Sequence, residues 1–252
     1  MGSCIIVTSG KGGVGKTTCA ANIGYFLALM DKKVICIDFD TGLRNLDILL
    51  GVEDRCVFDL SDIIINNINK ENVIVEHPKM KNLFFIAAPS SKSVFDTNKL
   101  KEFIKEIKAD YDYVLIDCPA GIGFEFDAAC QCADIALIVT TPDVLSVRDV
   151  TVTSDLLQRK DLKNTYLVVN RVIASYIDKY KDYFVNIDDI IDNTRTRLLG
   201  IVGEDNSLYA FERENVKKKK KSLSGICYNN IAKRITGEKV PLFRFWEKRK
   251  YK

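Results

Sequence analysis

No uncharged apolar run in these 252 residues approaches the roughly 18 that a membrane-spanning helix needs, so such a helix is excluded. No internal repeat recurs, and no break in composition marks a domain boundary. The eight cysteines show no zinc-type spacing, and a chain able to bury a sizeable core needs no disulfide framework. Cys4, Cys36 and Cys118 lie in or just after apolar runs, and Cys19 lies in a helical stretch. Reduced, buried thiols in a cytoplasmic protein account for them. The C-x-C pair Cys130 and Cys132 offers two ligands, too few to close a metal site. The N-terminus is expected to be a strand rather than a signal peptide, and Ile6 stands where a myristoylation motif wants Ser or Thr.

The composition that is present, 47% hydrophobic and 28% charged, is that of an ordinary globular protein. Apolar runs of strand length recur at Cys4–Val7, Val34–Ile37, Leu83–Ile86, Tyr113–Ile116, Ala136–Val139, Tyr166–Val169 and Leu198–Val202. They are continuous rather than alternating, which predicts strands covered on both faces of a parallel sheet. Segments of helical character lie between them, at 97–108, 124–132, 146–159 and 206–213, and residues 59–82 read as a short helical excursion. The expected fold is α/β: three layers, with a mostly parallel central sheet flanked by helices. Residues 1–236 are expected to form that domain, and 237–252 a basic, aromatic tail.

Charge is divided unevenly. Residues 217–252 carry 13 Lys or Arg against Glu238 and Glu247, whereas residues 1–216 carry 24 basic and 32 acidic side chains. A basic tail on an acidic body points to an anionic partner: a membrane surface, a nucleic acid or an acidic protein.

The first apolar run leads directly into Gly10-Lys11-Gly12-Gly13-Val14-Gly15-Lys16-Thr17-Thr18, and helical spacing follows in Ala20, Ile23, Leu27 and Met30. Strand, glycine-rich turn and helix are the context a P-loop requires, and Gly10, Gly15, Lys16 and Thr17 fill G-x-x-x-x-G-K-[ST]. Backbone N–H groups of such a turn point at phosphate oxygens, and the helix behind adds about half a positive charge. Lys16 is expected to reach the β- and γ-phosphates of ATP, and the Thr17 hydroxyl to hold Mg²⁺. Lys11 is a second lysine that the plain pattern does not need.

Ligands of open α/β sheets bind at the carboxyl ends of the strands, and polar residues cluster there. The second run ends in Asp38-Phe39-Asp40, the fourth in Asp117-Cys118-Pro119-Ala120-Gly121 and the sixth in Asn170-Arg171. Asp117, after Tyr-Val-Leu-Ile, fits a Walker B aspartate in the Mg²⁺ shell. Asp38 and Asp40 point in different directions in an extended chain, so one suits the metal and the other an attacking water.

These residues carry a family resemblance. The glycine-rich loop, Asp38-Phe39-Asp40-Thr41-Gly42-Leu43-Arg44-Asn45-Leu46-Asp47, Asp117–Gly123, Thr141–Asp149, Val168–Val172 and Gly237–Leu242 together resemble the deviant Walker A (ParA/MinD) family, in its MinD-like, septum-site-determining branch. The likeness runs over roughly residues 3–243. It implies an ATPase that regulates division-site placement, slow and partner-stimulated, with ATP and Mg²⁺ as cofactors. It further implies an ATP-dependent homodimer in which Lys11 reaches the partner's ATP as a finger in trans, Lys16 acts in cis and Asp40 orients the water. Thr17 would bind Mg²⁺ with Asp38 and Asp117 behind it, Asn170 would read the adenine, and Arg171 would lie near the base. Ser146, Arg148 and Asp149 open a helix that such proteins use for partner contacts. The partners implied are a MinC-like division inhibitor and a MinE-like or polar-scaffold topological factor.

The family's C-terminal amphipathic helix, which binds membrane, has only the short counterpart Pro241–Lys250 here. Attachment to the inner face of the cell membrane and a tail packed on its own domain are both open. Lys217–Lys221 replace a gentler loop, and Gly203 stands where relatives commonly have proline. Competing readings are a ParA-like partition ATPase that binds DNA, a flagellar-number regulator, an iron–sulfur carrier and a non-hydrolysing scaffold. Nucleic acid is not the expected partner.

Overall fold

The protein is described from a computed structural model covering residues 1–41, 44–89, 96–180, 182–205 and 221–242. Along the chain these form β1 (Ser3–Thr8), α1 (Lys16–Ala28), β2 (Val34–Asp38), α2 (Leu46–Leu50), α3 (Leu60–Ile64), α4 (Lys70–Val73), β3 (Val75–Glu76), β4 (Leu83–Ile86) and α5 (Thr97–Asp110). They continue with β5 (Tyr113–Asp117), α6 (Phe124–Cys132), β6 (Ile135–Thr140), α7 (Val144–Arg159), β7 (Thr165–Val172), α8 (Ala174–Lys179), α9 (Ile187–Thr194), β8 (Arg197–Gly203) and α10 (Leu223–Ile235). All seven apolar runs are strands. The sheet order is β3-β4-β2-β5-β1-β6-β7-β8, parallel throughout except for β3, a two-residue antiparallel edge that the apolar pattern does not reveal.

Adjacent residues of each central strand face opposite layers. Cys4 and Ile6 of β1 join the core under α5, α6 and α7, whereas Ile5 and Val7 join the core under α1 and α10. That double coverage is why the runs are continuous. Of the expected helices, 97–108, 124–132 and 146–159 are present as α5, α6 and α7, and the excursion at 59–82 contains α3, α4 and β3. Residues 206–213, 217–220 and 243–252 fall outside the description. Met30 is not helical: α1 ends at Ala28, and Asp31 turns the chain at φ 59°.

β1 lies between β5 and β6; the crossover after β1 runs toward β2, whereas the one after β6 runs the other way, toward β7. The crevice this opens at the carboxyl end of β1 is the binding position of such sheets. Behind it, α10 packs on α1. The Tyr228 ring is fully buried there, and its hydroxyl lies 3.4 Å from Cys19 Sγ. At the far end of α10, Arg234 donates to the carbonyls of Leu199, Val240 and Pro241, which fastens the segment after the helix to β8. Truncation of Tyr228 to Ala is expected to cost about 3–5 kcal/mol in denaturant unfolding. Tyr228→Phe, which keeps the ring, should cost about 1 kcal/mol at most. Equal losses would mean that the hydroxyl, not the ring, holds α10 on α1.

Candidate functional site

The loop from Gly10 to Thr18 joins β1 to α1, which starts at Lys16 without a side-chain cap. Gly15 needs its hydrogen side chain twice over. Its φ is +89°, and a Cβ would lie 2.3 Å from Asn170 Nδ2. Gly10 has a different reason: a Cβ there would lie 2.4 Å from the backbone oxygen of Asp149, so α7 sits directly against the loop. Val14 is buried, and its carbonyl accepts a 2.8 Å bond from Asn170 Nδ2. Thr18 gives its carbonyl to Asn22.

Lys16 is 8% exposed and points at Asp117, with Nζ 3.9 Å from Oδ1. Asp38 and Asp117 are register partners on β2 and β5, so two carboxylates end neighbouring strands side by side. Asp38 accepts bonds from the N–H groups of Asp40 and Leu46. Both oxygens of Asp117 are buried without a hydrogen bond, and the Thr17 hydroxyl lies alongside. Burial, and then the neighbouring Asp117, push the Asp38 carboxyl up to about 7. Burial pushes Asp117 up to about 6 against the pull of Lys16. Orphaned oxygens of this kind fit a hard cation. Thr17, Asp38 and Asp117 are the oxygen set that suits Mg²⁺. Among the described residues no three His, Cys, Asp or Glu side chains converge on one point.

Asp40 is half-buried. Burial raises its carboxyl, Lys16 opposes that, and Glu125 adds to it. Lys11 leans the other way: its Nζ lies 3.6 Å from Asp143 Oδ1, and the side chain is 41% exposed. Asp143 is the N-cap of α7 and accepts from the Ser146 N–H and the Thr141 hydroxyl. The ammonium at the start of the loop thus rests on the helix beside it, at the mouth of the crevice.

Not every expected position lies where the pattern put it. The cap of α7 is Asp143, and Ser146, expected among the partner contacts, is 2% exposed. Its hydroxyl lies 2.9 Å from that of Thr141, so it faces inward. Of the trio on this helix Arg148 is exposed and Asp149 is half-buried. Asn170 is inside β7 and holds the loop. Arg171 takes φ +55° where the β7–β8 register shifts, and its Nε lies 3.8 Å from Glu204. Arg44 binds the Ala88 carbonyl and Asp59, so it ties down the connection after β2; Gly42 and Leu43 of that stretch lie outside the description. Asp143, Glu125 and Glu204 were missed. Asp143 alone had a local signal, a cap residue three before Ser146.

A family model described as an AAA domain matches residues 2–169. The septum site-determining protein MinD of Bacillus subtilis (strain 168) is 40% identical over 248 residues, which covers 96% of this chain and 92% of that protein. The structure of the Aquifex aeolicus MinC:MinD cell division protein complex contains a chain 37% identical, with a TM-score of 0.88 over 96% of this chain and 99% of that one. Septum site-determining MinD of Pyrococcus horikoshii OT3, solved with Mg-ADP, is 27% identical with a TM-score of 0.79, covering 93% and 96%.

The two raised carboxyls make a pH prediction. Unfolded, each titrates near about 3.9. Folded, they keep their protons to about 7 and about 6. The stability they contribute is therefore complete below the unfolded value and lost as pH rises through the folded ones. Asp117→Asn cannot ionise there. Without nucleotide, its melting temperature relative to wild type should climb between about pH 4 and about pH 6 and level off above that. A flat or falling difference would mean that Asp117 is already charged and compensated.

Proposed function

The chain belongs to the MinD family of septum site-determining proteins, and on that premise we propose that it is a two-subunit ATP switch in which each Lys11 grips the other subunit's nucleotide. It is a P-loop ATPase that uses ATP and Mg²⁺ and acts in division-site placement; a DNA-partition role is not favoured. The observation that carries the finer reading is the pair of loop lysines. Lys16 is buried against Asp117, whereas Lys11 is half-exposed and held at the mouth by Asp143. One ammonium serves its own crevice and the other is free to leave it.

The division of labour follows. Backbone N–H groups of the loop and Lys16 bind the triphosphate in cis. Thr17, Asp38 and Asp117 would hold Mg²⁺, which when bound would supply charge neutralisation at the phosphates. Asp40, whose N–H is bonded to Asp38, orients the water with its carboxylate. Lys11 supplies positive charge from the facing subunit, as an arginine finger does. The same contact joins the two subunits, so loss of the γ-phosphate removes the bridge and the dimer parts. Asn170 serves both base and loop, and Arg171 with Glu204 borders the base.

Arg148 and Asp149 on α7 are the proposed contact for a MinC-like inhibitor, supported by the relative solved with MinC. A MinE-like or polar-scaffold factor would bind nearby and set the rate of hydrolysis. Among the described residues no helix is long and apolar enough to cross a membrane. Reversible attachment to the inner membrane face is assigned to residues 237–252 as a tail, drawn to anionic lipid by its cations.

Lys11→Ala should bind Mg-ATP with near wild-type affinity, remain monomeric in size-exclusion chromatography with ATP, and lose turnover by about 100-fold or more. An ATP-dependent dimer in that variant would refute the trans role. For the tail, sedimentation with anionic vesicles is expected in ATP and not in ADP. Deletion of 243–252 should abolish it, and equal recovery with either nucleotide would overturn the membrane assignment.

A further inference from the structure

Glu125 is the second residue of α6, in the loop-to-helix segment that follows Asp117. Its Oε1 lies 3.5 Å from the Thr41 hydroxyl, across the crevice on the connection after β2. No ion-pair partner exists for it among the described residues, and it is partly buried. The neighbouring acid, Asp127, is by contrast turned outward to Lys160. Thr41 directly follows Asp40 and is folded back through its own N–H onto the Phe39 carbonyl. The Glu125 carboxylate is also close enough to Asp40 to act on its charge. A helix N-terminus favours an acidic side chain in its first turn, which steadies Glu125 against solvent. Gly123 leaves it room, since a Cβ there would meet Oε2 at 3.3 Å.

We propose that Glu125 is a positioning residue for hydrolysis: its carboxylate accepts the Thr41 hydroxyl and so ties the loop that carries Asp40 to the loop that carries Asp117. This rests on the reading of Asp40 as the water-orienting group. The loops after β2 and β5 come from adjacent strands, but past the strand ends no sheet hydrogen bonds hold them in register. The described bonds across the gap are from Phe39 N–H to the Asp117 carbonyl and from the Thr41 hydroxyl to Glu125. The first belongs to the sheet edge. The second lies beyond Asp40 and sets the angle at which that side chain leaves the backbone. A contact of 3.5 Å is long, so it yields readily when the loops rearrange around nucleotide. It touches no group assigned to phosphate or metal, so its loss should act on the chemical step rather than on binding.

The test is steady-state turnover of the full chain with Mg-ATP in Glu125→Ala, Glu125→Gln, Thr41→Val, Thr41→Ser and the Glu125→Ala/Thr41→Val double variant, with Asp40→Ala alongside. Glu125→Ala and Thr41→Val should each lower kcat by about two- to tenfold and leave KM unchanged. The double variant should fall no further, because both remove one interaction. Glu125→Gln keeps an acceptor and Thr41→Ser keeps a hydroxyl, so both should retain wild-type kcat. The idea is overturned if the single losses multiply in the double variant, if they appear in KM alone, or if Glu125→Gln is as slow as Glu125→Ala. Asp40→Ala with full turnover would remove the reading beneath it. An inactive Asp40→Ala beside unaffected Glu125→Ala and Thr41→Val would remove only the tie.

Discussion

Two carboxylates buried side by side at the ends of adjacent strands, with one lysine for compensation, set the terms for the rest of this molecule. Parallel pairing in register of β2 with β5 brings Asp38 and Asp117 level. Neither can move away without breaking the sheet. Left alone they repel and hold protons; a cation relieves them. The sheet therefore stores an electrostatic demand at the crevice, one that the Mg²⁺ proposed to sit there with a phosphate-bearing ligand would satisfy.

Around that fixed pair stand parts that can move. The glycine-rich loop is clamped from two sides, by Asn170 on the β7 side and by the backbone of Asp149 in α7. Lys11 and Asp143 link the mouth of the loop to the start of the same helix. A shift of α7 is thus felt both at Gly10 and at the ammonium beside it. This gives a physical route between α7, where a partner contact is proposed, and the loop, without any need for a distant relay. At the opposite end of the crevice the loops after β2 and β5 face each other through Thr41 and Glu125.

Much of this was legible in the chain. Strands buried on both faces leave unbroken apolar runs, so the seven long ones stood out, and the Asp that ends each of two runs marked the crevice. The edge strand Val75–Glu76 is too short to carry a period. The α10 helix does carry one, in Cys227, Tyr228, Ile231 and Ala232, but it follows a lysine run that draws the eye to charge instead. Ser146 stands among the residues expected at a partner surface, but Asp143, three residues earlier, caps the helix and takes the Ser146 N–H, and the serine is buried.

What the order of residues determined alone is the inventory: a strand–loop–helix with two lysines, carboxylates at strand ends, and a layered α/β arrangement. These depend on local spacing, which a linear chain displays. What only the folded chain decided is which of those groups meet. Lys11 and Asp143 are joined past the ends of the neighbouring strands β1 and β6, Glu125 finds Thr41, and Gly10 is small because Asp149 presses on it. Such pairings depend on which strands lie next to one another, and strand order is fixed by long-range packing rather than by any feature of the residues along the way.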